Sequence, residues 1–170
     1  MIILLGESGS GKSTIEKKLV SNGFKRVIGT TTRPPRVGEV GGVDYNFVTE
    51  SEFDEIVAKG KFAEFATYNG FRYGTKKEDC KDACVKVIEP IGFRLLRESG
   101  IKLTSFFIKT SLEFRAFNML RRGDSYRDVI SNINYDRILF KDIEEEVDFV
   151  LNNSEEEDII RIVEFIKLIM

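Results

Sequence analysis

Gly6-Glu7-Ser8-Gly9-Ser10-Gly11-Lys12-Ser13 is the stretch on which the fold turns. It satisfies the phosphate-loop pattern G-x-x-x-x-G-K-[ST] at every defined position. Before it stands a short, uniformly apolar run, residues 1–5, which reads as a buried strand. After it Ile15, Leu19 and Val20 recur at helical spacing, and Gly23 is placed to end the helix. Strand, glycine-rich turn and helix are the context the pattern requires. The glycines let backbone N–H groups turn inward onto phosphate oxygens, and the helix N-terminus adds a favourable dipole. Lys12 can reach the terminal phosphates of a nucleotide, and Ser13 can ligate magnesium.

Composition narrows what else the chain can do. Its 170 residues fit one domain with a sizeable core, and 42% hydrophobic with 32% charged residues match a globular protein. With 26 Lys and Arg against 28 Asp and Glu, the net charge of −2 provides no global field for nucleic acid or an anionic membrane, so an anion site must be local. The run Ile2-Ile3-Leu4-Leu5 falls far short of a membrane span and lacks the flanks of a signal peptide, so a cytoplasmic protein is expected. The absence of histidine excludes a Ser-His-Asp triad and a His-ligated zinc. Cys80 and Cys84 match neither a redox pair nor a zinc site, and two cysteines cannot make a disulfide framework.

Outward from the loop, strand-length apolar runs alternate with helix-period segments, the sign of a parallel sheet flanked by helices. Residues 25–29 read as a second strand, and 30–42, rich in Thr, Arg, Pro and Gly, as loop. Thr49-Glu50-Ser51-Glu52 is a capping box opening a short helix that Gly60 closes. Residues 62–68 alternate as a strand, placing Glu64 on one face with Phe62, Ala66 and Tyr68. Asn69-Gly70 then predicts a hairpin turn into Phe71-Arg72-Tyr73. Thr75 with Glu78 repeats the capping signature, so a short helix carrying both cysteines is expected. Residues 85–88, 101–108 and 147–151 read as further strands and 91–98, 111–122 and 125–140 as helices. Ile159, Ile162, Val163, Ile166 and Ile169 share one face of a last helix.

Thr30-Thr31-Thr32-Arg33-Pro34-Pro35-Arg36-Val37-Gly38-Glu39-Val40-Gly41-Gly42-Val43-Asp44-Tyr45-Asn46-Phe47 resembles the acceptor-site signature of guanylate kinases, as do Phe62-Ala63-Glu64-Phe65 and Tyr73-Gly74-Thr75. With the phosphate loop, these landmarks follow the family's order and rough spacing over the whole chain, and they are most similar to its short bacterial or phage-type members. The resemblance implies an α/β fold of the P-loop nucleoside monophosphate kinase type: a parallel five-stranded core sheet flanked by helices, a mostly antiparallel acceptor-binding lobe, and a helical lid. On that division the single domain has core segments 1–29, 84–119 and 141–170, an acceptor lobe at 30–83 and a lid at 120–140.

The resemblance also implies the reaction: ATP, with Mg2+, phosphorylates GMP or dGMP. Gly6, Glu7, Ser8, Gly9, Ser10, Gly11, Lys12, Ser13 and Thr14 would hold ATP, with Ser13 on the metal. Arg33, Arg36, Tyr45, Glu64, Tyr73, Thr75 and Glu89 would hold the acceptor. Partners would be small-molecule nucleotides, with neither nucleic acid nor membrane, for a monomer or homodimer. Two other readings stand beside this one: a kinase for another nucleotide or phosphorylated acceptor, and a non-catalytic binding module of the same family. Intact Lys12 and Ser13 weigh against the module.

The residue chemistry agrees. Arg33 and Arg36 on a proline-stiffened loop suit bidentate capture of a monophosphate, and Tyr45 and Tyr73 add hydroxyl donors. A carboxylate at Glu64 can accept both N1–H and the exocyclic amine of guanine. In the family, arginines of the helices flanking the lid close over the transferring group. Here Leu120-Arg121-Arg122-Gly123-Asp124 supplies the first set, with Arg122 as the best match and Arg115 earlier on the same helix. The second position falls at Ser131 or Asn132, leaving Arg127 or Arg137 as substitutes. The chain departs from the family twice more. Val87-Ile88-Glu89-Pro90 keeps only Glu89 of an Asp-x-Asp pattern, and Gly29 stands where a base-contacting serine is often found.

Overall fold

Ile2 and Leu4 point to one side of a sheet and Ile3 and Leu5 to the other, and all four are fully buried, as a central strand with both faces covered demands. The computed structural model describes residues 1–36, 38–68, 70–155 and 157–170, with Tyr68 described in its backbone alone. That first strand is β1 (Ile2–Leu5), and the helix after the glycine-rich loop is α1 (Lys12–Ser21). Two parallel neighbours flank β1: β7 (Cys84–Val87) pairs Ile2 with Val85, and β8 (Thr104–Lys109) pairs Ile2 with Thr104. Outside these lie β2 (Lys25–Arg26) and β9 (Phe149–Asn152), giving a five-stranded parallel sheet in the order β2-β7-β1-β8-β9.

One face of the sheet packs Ile2, Leu4, Val85, Phe106 and Ile108 against α1 and α6 (Asp158–Ile169) through Ile15, Leu19, Ile162, Val163 and Ile166. The other packs Ile3, Leu5 and Phe107 against Phe93 and Leu96 of α3 (Pro90–Glu98) and against Phe140 and Ile143. Ile169, expected on the buried face of α6, is exposed at the helix end. The second strand is shorter than expected, because after Arg26 the chain leaves the sheet edge and only Val27 N–H still bonds Val85.

A second sheet of four strands, in the order β4-β3-β6-β5, is built from β3 (Thr30–Thr31), β4 (Asn46–Phe47), β5 (Phe62–Tyr68) and β6 (Phe71–Lys76). β5, β6 and β3 are antiparallel neighbours, while β3 and β4 run parallel. β3 lies inside the segment read as loop; two threonines extend there because partner strands distant in sequence supply their ladder. The capping box forms as expected: Thr49 Oγ1 accepts from Glu52 N–H and Glu52 from Thr49 N–H, opening α2 (Glu50–Ala58).

Three local expectations need correction. Register shifts between Phe62 and Glu64, so Phe62 turns away from Glu64 and packs, with its ring tilted, against Phe65 and against Phe53 of α2, at centroid distances of 5.8 and 4.5 Å. Thr75 opens no helix: it is a buried β6 residue whose hydroxyl donates to Glu64, and only a short 3-10 turn, Lys77–Asp79, follows. Neither cysteine is helical; Cys80 follows that turn and Cys84 starts β7. Asn69 of the expected hairpin turn lies outside the described residues, and Gly70 beside it has a φ of 79°. The chain then runs through α4 (Leu112–Arg121) and α5 (Tyr126–Leu139), each with a serine N-cap, Ser111 and Ser125. Among the described residues, no helix is long and apolar enough to cross a membrane.

Candidate active site

The loop between β1 and α1 has Gly6, Gly9 and Gly11 at positive φ, 154°, 79° and 93°. Gly9 is required twice over, since a Cβ there would stand 2.5 Å from the Arg115 carbonyl oxygen on α4. Thr110 and Asn153, beyond the ends of β8 and β9, donate to the Ser10 carbonyl and fix the loop on the sheet. Lys12 folds back over the loop, donating to the carbonyls of Gly6 and Glu7. Desolvation pulls its pKa down to about 8, against the opposing charges of Glu89 and Asp136. This loop, together with Ser13, Thr14, Arg121 and Arg122, lines a cleft of about 740 Å³.

A second cavity, about 420 Å³, lies between the two sheets and takes its walls from Gly29, Arg33, Arg36, Tyr45, Glu64, Tyr73, Lys86 and Glu89. Six of the seven residues expected to hold an acceptor therefore line one space. Thr75 is the exception, standing behind Glu64. Arg33 is buried, hydrogen-bonded to Glu39 at 2.8 Å and to the Pro34 carbonyl, with its guanidinium over the Tyr45 and Phe47 rings. Arg36 is exposed at the mouth and makes no hydrogen bond or ion pair with its side chain among the described residues. Tyr45 and Tyr73 meet edge to face at 6.0 Å, and burial raises the Tyr45 hydroxyl. Glu64 is 8% exposed, and desolvation raises its carboxyl despite the Thr75 hydrogen bond and the Lys86 charge. Glu89, whose carboxyl desolvation also raises, lines this cavity, and its charge interacts with that of Lys12 in the larger cleft.

The arginines separate into three situations. Arg122 ends α4 at the rim of the larger cleft, its guanidinium held by Asp124 at 2.8 and 2.6 Å. Arg115 is 4% exposed beneath the loop, where it bonds Glu7 at 2.7 Å, Asp136 at 2.9 Å and the Ser8 carbonyl. It lines neither cavity and faces the loop rather than the nucleotide space. Arg127 and Arg137 are exposed on α5 and line neither cavity.

Four contributors were missed in the sequence. Glu39 orients Arg33 and accepts from Arg36 N–H. Asp136 of α5, 3% exposed, accepts from Ser8 N–H at 2.7 Å and from Arg115, and Asn118 of α4 donates to the Gly9 carbonyl. Asp136 and Asn118 reach the phosphate loop only through the fold, while Glu39 acts within its own loop. Lys86 alone carried a readable signal, a charged residue inside the apolar run Cys84-Val85-Lys86-Val87-Ile88.

The guanylate kinase family model matches residues 1–167. The guanylate kinase of Helicobacter pylori strain 26695 is 36% identical over 141 residues, covering 76% of this chain and 68% of that one. The guanylate kinase of Neisseria meningitidis serogroup A is 31% identical over 191 aligned positions, covering 99% of this chain and 88% of that one. Among solved structures, guanylate kinase from Anaplasma phagocytophilum superposes with a TM-score of 0.69 at 27% identity, covering 99% of this chain and 82% of that one. A family model matched over residues 1–167, a relative aligned along 99% of the chain and a fold shared over the same span place the chain in the guanylate kinase family.

Proposed function

We propose that the protein transfers the γ-phosphoryl group of ATP to GMP or dGMP, giving ADP and the nucleoside diphosphate. The observation that carries this reading is a pair of differently built spaces on one fold, one walled by the phosphate loop and the other holding a buried carboxylate with two arginines, with Lys12 of the first and Glu89 of the second in electrostatic contact. The acceptor's own phosphate oxygen is the nucleophile, so the protein positions, neutralises charge and excludes water. In our reading Arg33 and Arg36 hold the acceptor phosphate, Glu64 takes the base edge, and Lys12 steadies the transferring group. The lobe at 30–83 and the lid at 120–140 would close over both nucleotides.

Among the described residues no group of His, Cys, Asp or Glu is arranged to cage a metal. In our reading Mg2+ comes in on the ATP phosphates, and the exposed Ser13 would be its protein ligand. When bound, the ion neutralises charge on the β- and γ-phosphates. Incubating the protein with ATP, Mg2+ and GMP should yield ADP and GDP in equal amounts, and Lys12→Ala should fold normally and turn over about 100-fold more slowly. A folded Lys12→Ala protein retaining more than a third of wild-type turnover would remove Lys12 from the transfer step.

A further inference from the structure

Lys86 sits in β7 between two apolar residues and is 8% exposed. A buried ammonium needs a partner, yet among the described residues Lys86 makes neither a hydrogen bond nor an ion pair with its side chain. Two carboxylates whose charge acts on it have other partners. Glu16 pairs with Arg26 at 3.2 Å, and Glu64 accepts from Thr75. What Lys86 does face is the 420 Å³ cavity, whose wall it shares with Glu64.

Gly29 supplies an independent observation. Its φ is not in the left-handed region, so the backbone there does not demand glycine. A Cβ on it would instead lie 3.4 Å from Lys86 Nζ and 3.3 Å from the Tyr45 ring. The missing side chain leaves the ammonium its place at the cavity wall.

This bears on the base, and so rests on the reading of the cavity as a guanine nucleotide site. The guanine edge carries two donors, N1–H and the exocyclic amine, beside one acceptor, O6. Glu64 matches the donors and leaves O6 to be satisfied. We propose that the Lys86 ammonium donates to O6 of the bound guanine, making Lys86 a specificity-determining residue, so that an anion and a cation read adjacent groups of one base. Adenine would meet this pair reversed, its exocyclic amine against the ammonium and its N1 lone pair against the carboxylate.

The test compares GMP, 6-thio-GMP and IMP as acceptors with wild type, Lys86→Met and Lys86→Met/Gly29→Ser, alongside calorimetric GMP binding and thermal melts. Thio-GMP weakens only the O6 acceptor, whereas IMP removes only the amine. Lys86→Met should raise the GMP KM about 10- to 100-fold with little change in kcat. It should also abolish the preference for GMP over 6-thio-GMP while keeping that for GMP over IMP, which belongs to Glu64. The added serine should restore part of the GMP affinity by returning a donor to the wall. Should Lys86→Met fail to fold, Lys86→Gln, which keeps a shorter donor, should show the same selective loss in weaker form. A GMP KM within twofold of wild type, or equal losses for all three nucleotides, overturns the proposal. A wild type that prefers AMP to GMP defeats the guanine reading itself, whereas a guanine-preferring wild type with an unchanged Lys86→Met variant defeats only the role of Lys86.

Discussion

Lys12 carries two consequences of one burial. Its ammonium is desolvated over the loop carbonyls, which depresses its pKa to about 8, while a bound triphosphate would draw the pKa back up. Binding ATP therefore favours the protonated lysine, and affinity should be flat below about pH 7.5 and fall towards tenfold per pH unit once pH exceeds the free-protein value. Calorimetry from pH 6.5 to 9.5 would show this, with proton uptake above pH 8 and none attributable to Lys12 in Lys12→Ala. Asp136 and Glu89 hold the lysine charged and Arg115 and Arg122 oppose it. Neutralising Asp136 should thus move the break to lower pH. Such readings belong to single side chains, and they divide into those legible beforehand and those not. Lys12, Arg33 and Glu64 sit in local patterns whose chemistry is spelled out by their neighbours. Asp136 acts on Ser8 and Arg115 through tertiary contacts that spacing does not encode, whereas Glu39 holds Arg33 and the Arg36 N–H within one loop whose turn no regular period announces.

Elements carry the next set of constraints. α4 and α5 are tied to the phosphate loop by the buried Arg115–Asp136 pair, with Glu7 as a third member. Removing only the cation leaves carboxylates without compensation, so Arg115→Met should destabilise the protein by about 3–5 kcal/mol. Arg115→Met/Asp136→Leu should cost less than the two single changes summed, as urea denaturation would record. Additive costs would mean that the pair is not coupled. Arg122 is different, exposed at the cleft rim and held, among the described residues, by Asp124. Arg122→Ala should lower kcat more than it raises either KM in steady-state assays, with no loss of melting temperature; unchanged single-turnover chemistry would exclude it from the site. Helices and long strands were readable because their caps and periods are local, as at Thr49, Ser111 and Ser125. The two-residue strand at Thr30–Thr31 and the fate of Thr75 were not, since both depend on pairing with β6 and β5.

At the scale of the whole molecule, one sheet carries the phosphate-loop cleft and both sheets wall the cavity of Arg33, Glu64 and Lys86, which we propose reads guanine. The order of the motifs along the chain made the family and the two-sheet fold legible. The anion-and-cation arrangement of Glu64 and Lys86 appeared only when β5 and β7 were brought together. The most direct measurement is a coupled ADP-release assay of the wild type across GMP, dGMP, IMP, AMP and dTMP, repeated with Glu64→Gln. Hydrogen bonds to a charged group contribute roughly 1.5–3 kcal/mol each, so kcat/KM should rank GMP and dGMP well above IMP, with AMP lowest among the purines. Glu64→Gln should lower GMP use selectively, because its amide sets a donor against a guanine donor. A wild type that favours AMP or dTMP, or a Glu64→Gln variant with unchanged ranking and GMP efficiency, would contradict the account.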